Sequence, residues 1–203
     1  MVAIIDYKMG NLHSVQKACA RVGLRAKLVT RAEEIPKAKA VVLPGVGAFG
    51  QAMQHLRSQG LIRALKNFAF SGKPFLGICL GMQLLFEESK EFGINKGLGI
   101  LTGKVIPFSK NIKVPHMGWN TLNILKRHPF LRGIKNHSYM YFVHSFYCVP
   151  NKRELLLATT EYNKDVAAMV GKDNIFAMQF HPEKSQDVGL KIYENLARYL
   201  QAK

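Results

Sequence analysis

The stretch PFLGICLGMQ, Pro74 to Gln83, runs from an apolar segment into a cysteine held between two glycines, and then into residues with helical spacing. Phe75, Leu76 and Ile78 read as a short buried strand, and Leu84 and Leu85 continue a helix that begins at about Met82. A potential nucleophile at a strand-to-helix junction, with glycine two residues before and two after, has the pattern of a nucleophile elbow in which sulfur replaces the hydroxyl. The glycines are required because so sharp a turn leaves no room for Cβ atoms on either side. A thiol at a helix N-terminus also feels the positive end of the peptide dipoles, which favours its thiolate. The competing reading is a core cysteine between two packing glycines.

Such a junction belongs to α/β architecture, and the surrounding chain alternates accordingly. Upstream, Val2–Ile5, Ala26–Val29 and Ala40–Leu43 are short, mostly apolar strand candidates ended by turn residues. Between them Leu12, Val15, Ala18, Cys19 and Val22 follow helical spacing, and Phe49 to Phe70 reads as one or two helices broken at Gly60. Short apolar strands alternating with helices predict a central, mostly parallel sheet covered on both faces. Downstream, strands are expected over Gly99–Pro107, Tyr139–Val149, Glu154–Thr160, Val166–Val170 and Ile175–Gln179, the last two forming a hairpin, before a final helix over Val188–Gln201. These are added antiparallel strands. The 203 residues contain no linker, repeat or low-complexity tract, so residues 1–203 are expected to form one domain.

Composition narrows the partners. No apolar run is long enough to span a membrane, and the N-terminus MVAIIDYKMGN lacks the features of a signal peptide, so a cytoplasmic protein is expected. The net charge of +16 leans to the N-terminal half, where twelve basic and three acidic residues lie between Met1 and Ile78. No block of five like charges occurs, and the reading is a basic solvated surface with neither nucleic acid nor membrane as partner. Cys19, Cys79 and Cys148 include no C-x-x-C pair, which argues against a disulfide framework and a zinc site; no metal is expected. Cys19, on a helical apolar stripe, and Cys148, within a strand, read as small buried hydrophobes.

The segment VVLPGVGAFG, Val41 to Gly50, holds a literal G-x-G-x-x-G at Gly45, Gly47 and Gly50. A dinucleotide site would need an acidic residue about 20 positions on to hold the ribose, yet none occurs between Gly47 and Glu87. No G-K-[ST] follows either, which excludes a Walker loop. A tight turn, or a backbone wall presenting N–H groups to a ligand, remains. Among seven histidines, His181 in AMQFHPEKS is distinguished: a strand ends before it, Pro182 stops the ladder, and Glu183 is spaced to hold one imidazole nitrogen while the other faces a thiol. Alternatively Pro182-Glu183 merely caps a loop. Cys79, the glycine segment and His181 all fall at carboxyl ends of strands, where open α/β sheets gather their chemistry.

PGVG at 44–47, GICLGMQ at 77–83 and FHPEKS at 180–185 resemble the three signatures of class I (triad-type) glutamine amidotransferases, over essentially the whole chain. IIDYKMGN, HMGWN at 116–120 and YFVHS at 141–145 narrow the resemblance to glutaminase subunits of imidazole glycerol phosphate synthase. The resemblance implies a flavodoxin-like fold and a glutaminase without cofactor, in which Cys79 attacks the side-chain amide of L-glutamine, His181 relays protons and Glu183 orients His181. It implies an oxyanion site from backbone N–H groups of Leu80 and the Gly45 to Gly47 loop, and glutamine contacts from Gln83, Glu91 and the backbone at Ser145 and Phe146. It further implies a heterodimer with a β/α-barrel cyclase subunit that receives the ammonia, with Pro115, Trp119, Tyr141 and Lys184 at the interface near the tunnel mouth. A paralogous subunit feeding a different synthase, as in surface-polysaccharide amidine formation, is the alternative within the family. Outside it, a Cys-His thiol hydrolase and a non-catalytic basic scaffold are the rivals.

Overall fold

Period-two alternation along short apolar strands decides how this chain is layered. The computed structural model describes residues 1–202. In chain order it contains strand β1 (Val2–Ile5), helix α1 (Leu12–Arg21), β2 (Ala26–Val29), β3 (Ala40–Gly45), α2 (Phe49–Ser58), α3 (Leu61–Ala69), β4 (Phe75–Cys79) and α4 (Leu80–Leu84). There follow β5 (Glu88–Ser89), β6 (Asn95–Lys96), β7 (Gly103–Pro107), β8 (His116–Thr121), β9 (Asn123–Ile124), β10 (Tyr139–His144), β11 (Phe146–Pro150), β12 (Leu156–Glu161), β13 (Asp165–Lys172), β14 (Ile175–Met178) and α5 (Gln186–Gln201). The main sheet has the order β2-β1-β3-β4-β14-β13-β12-β9. Its first five strands are parallel, in the flavodoxin-like order 2-1-3-4-5 with β14 as the fifth, and β13, β12 and β9 extend it antiparallel.

Alternate residues of one strand feed two cores. Ala3 and Ile5, with Val41, Leu43 and Phe75, bury against Phe49, Met53 and Leu56 of α2 and Leu61, Leu65 and Phe68 of α3. Val2 and Ile4, with Val42, Leu76 and Ile78, bury against Val15 and Cys19 of α1 and Ile192, Tyr193 and Leu196 of α5. Each large apolar side chain removed from water contributes about 1.5–3 kcal/mol, so a one-residue slip in any of these strands would exchange the two faces. Gly60, at φ +67°, separates α2 from α3 where a left-handed residue ends one helix and starts the next.

The second half departs from its sequence reading in three places. Tyr139–Val149 is two strands rather than one: β10 pairs with β8 in a two-stranded sheet, whereas β11 pairs with β7 in a four-stranded sheet β11-β7-β5-β6. The chain changes sheets at Ser145, whose carbonyl accepts the Phe108 N–H. The expected strand Gly99–Pro107 begins only at Gly103, because the N–H groups of Leu98, Ile100 and Leu101 are drawn to the last carbonyls of the α4 turn. Strands β8 and β9 fall in a stretch where the sequence predicts no strand. Among the described residues no helix is long and apolar enough to cross a membrane.

Candidate active site

Cys79 is the last residue of β4 and lies at φ 54°, ψ −111°, a conformation that costs a non-glycine residue of order 1–3 kcal/mol. The chain turns so tightly that a Cβ added to Gly77 would sit 2.9 Å from the Gly81 carbonyl oxygen, and one on Gly81 would sit 1.8 Å from the Leu43 oxygen. Helix α4 starts at Leu80, earlier than its apolar spacing suggests, and has only five residues. It is short because its final carbonyls are captured from outside, Leu84 by the Leu98 N–H at 2.8 Å and Leu85 by those of Ile100 and Leu101 at 2.9 Å. One turn carries little macrodipole, so groups touching the sulfur matter more than the helix does.

Those groups come from the neighbouring strand ends. The Gln179 amide donates to Sγ of Cys79 at 3.6 Å, and the thiol donates to the Val143 carbonyl at 3.8 Å. His181 follows β14, the parallel neighbour of β4, and is 2% exposed. Its Nδ1 lies 2.7 Å from Oε1 of the buried Glu183, while Nε2 is buried with no hydrogen-bond partner. Burial opposes a charge on the ring, but Cys79 and Glu183 more than offset it, and the His181 pKa is pushed up to about 10. The segment is anchored to β10: the His181 N–H donates to the Tyr141 carbonyl at 2.9 Å, and the Ser185 hydroxyl links the Tyr141 N–H to the His181 carbonyl.

Cys79 opens onto a pocket of about 280 Å³, a volume suited to one amino acid and too small for a dinucleotide. Gly47, Leu80, Gln83, Glu91, His144, Ser145 and Phe146 line it. Gly45 does not reach this wall. It pairs with Cys79 in the β3–β4 ladder, and a Cβ there would stand 2.2 Å from the Tyr7 hydroxyl, which donates to the Pro44 carbonyl. Gly47 holds φ +98°, and a Cβ on Gly50 would stand 2.8 Å from the Asn95 side-chain oxygen, so the three glycines of the G-x-G-x-x-G spacing answer separate local constraints. Gln83 spends both amide hydrogens, on the Phe146 carbonyl at 3.0 Å and on Oε1 of Gln179 at 3.1 Å, leaving its oxygen for a ligand donor. Glu91 accepts from the Phe49 N–H and so caps α2 while facing the pocket.

Pro115 also lines the pocket. Trp119, Tyr141 and Lys184 gather farther out: the Trp119 and Tyr141 rings meet edge-on at 6.0 Å, and the Lys184 ammonium lies 5.8 Å from the Tyr141 ring. Gln179, His144 and His116 were missed by sequence reasoning. Gln179 adjoins the FHPE segment, and the two histidines lie inside HMGWN and YFVHS, but nothing in their spacing announces a mutual contact across two strands.

Known proteins share this sequence pattern and this fold. The profile of the family described as "Glutamine amidotransferase class-I" matches residues 3–198. A protein of Caldanaerobacter subterraneus subsp. tengcongensis named "Imidazole glycerol phosphate synthase subunit HisH" is 51% identical over 200 residues, covering 98% of both chains. One of Campylobacter jejuni subsp. jejuni serotype O:23/36, "Imidazole glycerol phosphate synthase subunit HisH 1", is 50% identical over 201 residues, covering 98% of this chain and 100% of that one. Among solved structures, one titled "Crystal structure of glutamine amidotransferase" has a TM-score of 0.76 at 21% identity, covering 100% of this chain and 98% of that one. "Structure of PurLQS from Thermotoga maritima" has a TM-score of 0.79 at 17% identity, covering 98% of each chain. With the family profile spanning nearly every described element and relatives at half identity end to end, the chain belongs to the class-I glutamine amidotransferases.

Proposed function

We propose that this chain is the glutaminase subunit of an imidazole glycerol phosphate synthase of histidine biosynthesis, working in the cytoplasm as a heterodimer with a β/α-barrel cyclase. The observation that carries the chemistry is the strained Cys79 on a pocket the size of an amino acid, beside a His181–Glu183 pair with buried side chains, whose Nε2 has no hydrogen-bond partner and whose charge is favoured by Cys79. His181 takes the proton of the Cys79 thiol, the resulting thiolate attacks the side-chain amide carbon of L-glutamine, and the negative charge passes to the amide oxygen. Backbone N–H groups of Leu80 and of the turn at Val46 and Gly47, which reach the pocket where Gly45 does not, hold that oxygen. His181 gives a proton to the departing nitrogen as the C–N bond breaks, leaving a γ-glutamyl thioester and ammonia. His181 then takes a proton from water, which attacks the thioester, and the C–S bond breaks to release glutamate.

Glutamine's α-ammonium suits the Gln83 oxygen and the Glu91 carboxylate, and the Ser145–Phe146 backbone completes the wall. Pro115, Trp119, Tyr141 and Lys184 form the face toward the cyclase, which takes up the ammonia. A glutamine-like chloroketone followed by mass spectrometry tests the reading. Modification of Cys79 alone, with glutaminase turnover rising when a cyclase of this synthase is added, is the expected result. Labelling of Cys19 or Cys148 instead, or peptide cleavage by the chain alone, would overturn it.

A further inference from the structure

Two buried histidines with no part in the bond-breaking steps join the glutamine pocket, which His144 lines, to strand β8, which begins at His116. Asn120 fixes their direction. Its oxygen accepts the Thr121 N–H at 2.8 Å and its amide nitrogen donates to the Glu161 carbonyl at 2.8 Å, so the remaining N–H must donate to Nε2 of His116 at 3.2 Å. His116 Nε2 is thereby an acceptor, and Nδ1 carries the proton that goes to Nε2 of His144 at 2.9 Å. His144 in turn carries its proton on Nδ1 and donates to the Phe146 carbonyl at 2.8 Å. That carbonyl also accepts from Gln83, so both its lone pairs are engaged.

We propose that His144, set by His116 and Asn120, is a positioning residue for glutamine: it pins the Phe146 carbonyl, and with it Gln83 and the pocket wall, to strand β8. The inference rests on the glutaminase reading and extends it. Only one arrangement of protons satisfies the chain, and it keeps both rings neutral. An added proton on either ring would set two N–H groups against each other. The surroundings agree, since burial lowers the His116 pKa to about 4, and burial, aided by His116 and His181, lowers that of His144 to about 3. His116 is clamped between the Phe142 and Tyr162 rings at 4.9 and 4.0 Å, and His144 lies against Phe108 at 5.2 Å. The link starts where a partner can act on it, because β8 turns His116 inward and leaves Met117 and Trp119 66% and 47% exposed.

The test uses the full chain with its cyclase partner. His144→Leu removes the donor to Phe146, and His144→Asn restores it, since the asparagine amide nitrogen can occupy the place of Nδ1. His144→Leu is expected to raise KM for glutamine about tenfold with kcat within about threefold, and His144→Asn to recover most of that loss. Equal effects of both variants, or a fall confined to kcat, would overturn the proposal. A second measurement needs no variant: nitrogen NMR of the imidazoles should find His116 and His144 as neutral Nδ1–H tautomers from pH 8 to pH 5.5. Nε2–H tautomers, or titration in that interval, would overturn it. If the parent complex hydrolyses no glutamine, the glutaminase reading itself fails and the proposal falls with it.

Discussion

Replacing Gly81 by alanine tests whether the elbow depends on backbone contact. The added Cβ would lie 1.8 Å from the Leu43 carbonyl oxygen and 2.8 Å from its carbon, whereas real Cβ atoms essentially never come within 3.0 Å. The two backbones must therefore part by about 1.2 Å. Leu43 cannot yield easily, because it is paired with Gly77 in the β3–β4 ladder inside the sheet. The displacement falls instead on α4 and the Cys79 turn. Overpacking of this kind costs roughly 3 kcal/mol, about 6–12 °C in melting temperature for a chain of this size. A nucleophile misplaced by about 1 Å loses on the order of 10²-fold in rate. The assay is calorimetry together with partner-stimulated glutamine hydrolysis, with Gly60→Ala as the control. Gly60, unlike Gly81, has a positive φ, but nothing lies within 4 Å of an added Cβ, so it reports backbone strain alone, about 1–2 kcal/mol. If Gly81→Ala melts and turns over like Gly60→Ala, the close-approach argument is wrong.

Two further outcomes follow from the charges around the sulfur. Glu183→Gln keeps the shape but removes the carboxylate that helps raise His181, and should lower glutaminase kcat/KM by about 10²–10³-fold. Because the folded pKa of His181, about 10, lies above its ordinary 6.5, its stabilising contribution is full below pH 6.5 and is lost as pH rises through about 10. Melting temperature should therefore fall more steeply between pH 7 and pH 10 in the parent than in Glu183→Gln, and parallel curves would refute the pairing. Burial pushes the Cys19 thiol up to about 12 and holds that of Cys148 well above its ordinary value. Iodoacetamide at pH 8 should then modify Cys79 and spare the other two until denaturant is added, as peptide mapping would reveal.

The doubly wound half of the fold was readable because its strands are local, apolar and separated by helices with clear stripes. Val2–Ile5 and Ala26–Val29 end where their patterns end. The other half resisted for a physical reason: its strands are paired by distant partners. Within Tyr139–Val149 only His144 and Ser145 interrupt the apolar run, with no glycine or proline to mark a break, yet Ser145 transfers the chain from β8 to β7. Strand β8 itself alternates in the inverse sense, with His116 turned inward and Met117 and Trp119 exposed, because its outer face is not covered within this chain. At the site, Cys79 and His181 stood out because glycine and proline punctuate their surroundings. Gln179 and the His116–His144 pair did not, since a hydrogen bond between residues 28 or 100 positions apart leaves no local pattern.

The stitching of Tyr141 to the His181 turn has a consequence for how this protein can change. Its N–H and its carbonyl are both tied to residues 181–185, and its ring stands at the Trp119–Lys184 cluster. On the proposed reading, with the partner docked at that cluster and His181 relaying protons, a substitution selected to tighten or loosen assembly there moves the imidazole as well. Adhesion and turnover are inherited together, and an engineer wishing to retune one must redesign β10 and residues 180–185 as a single part.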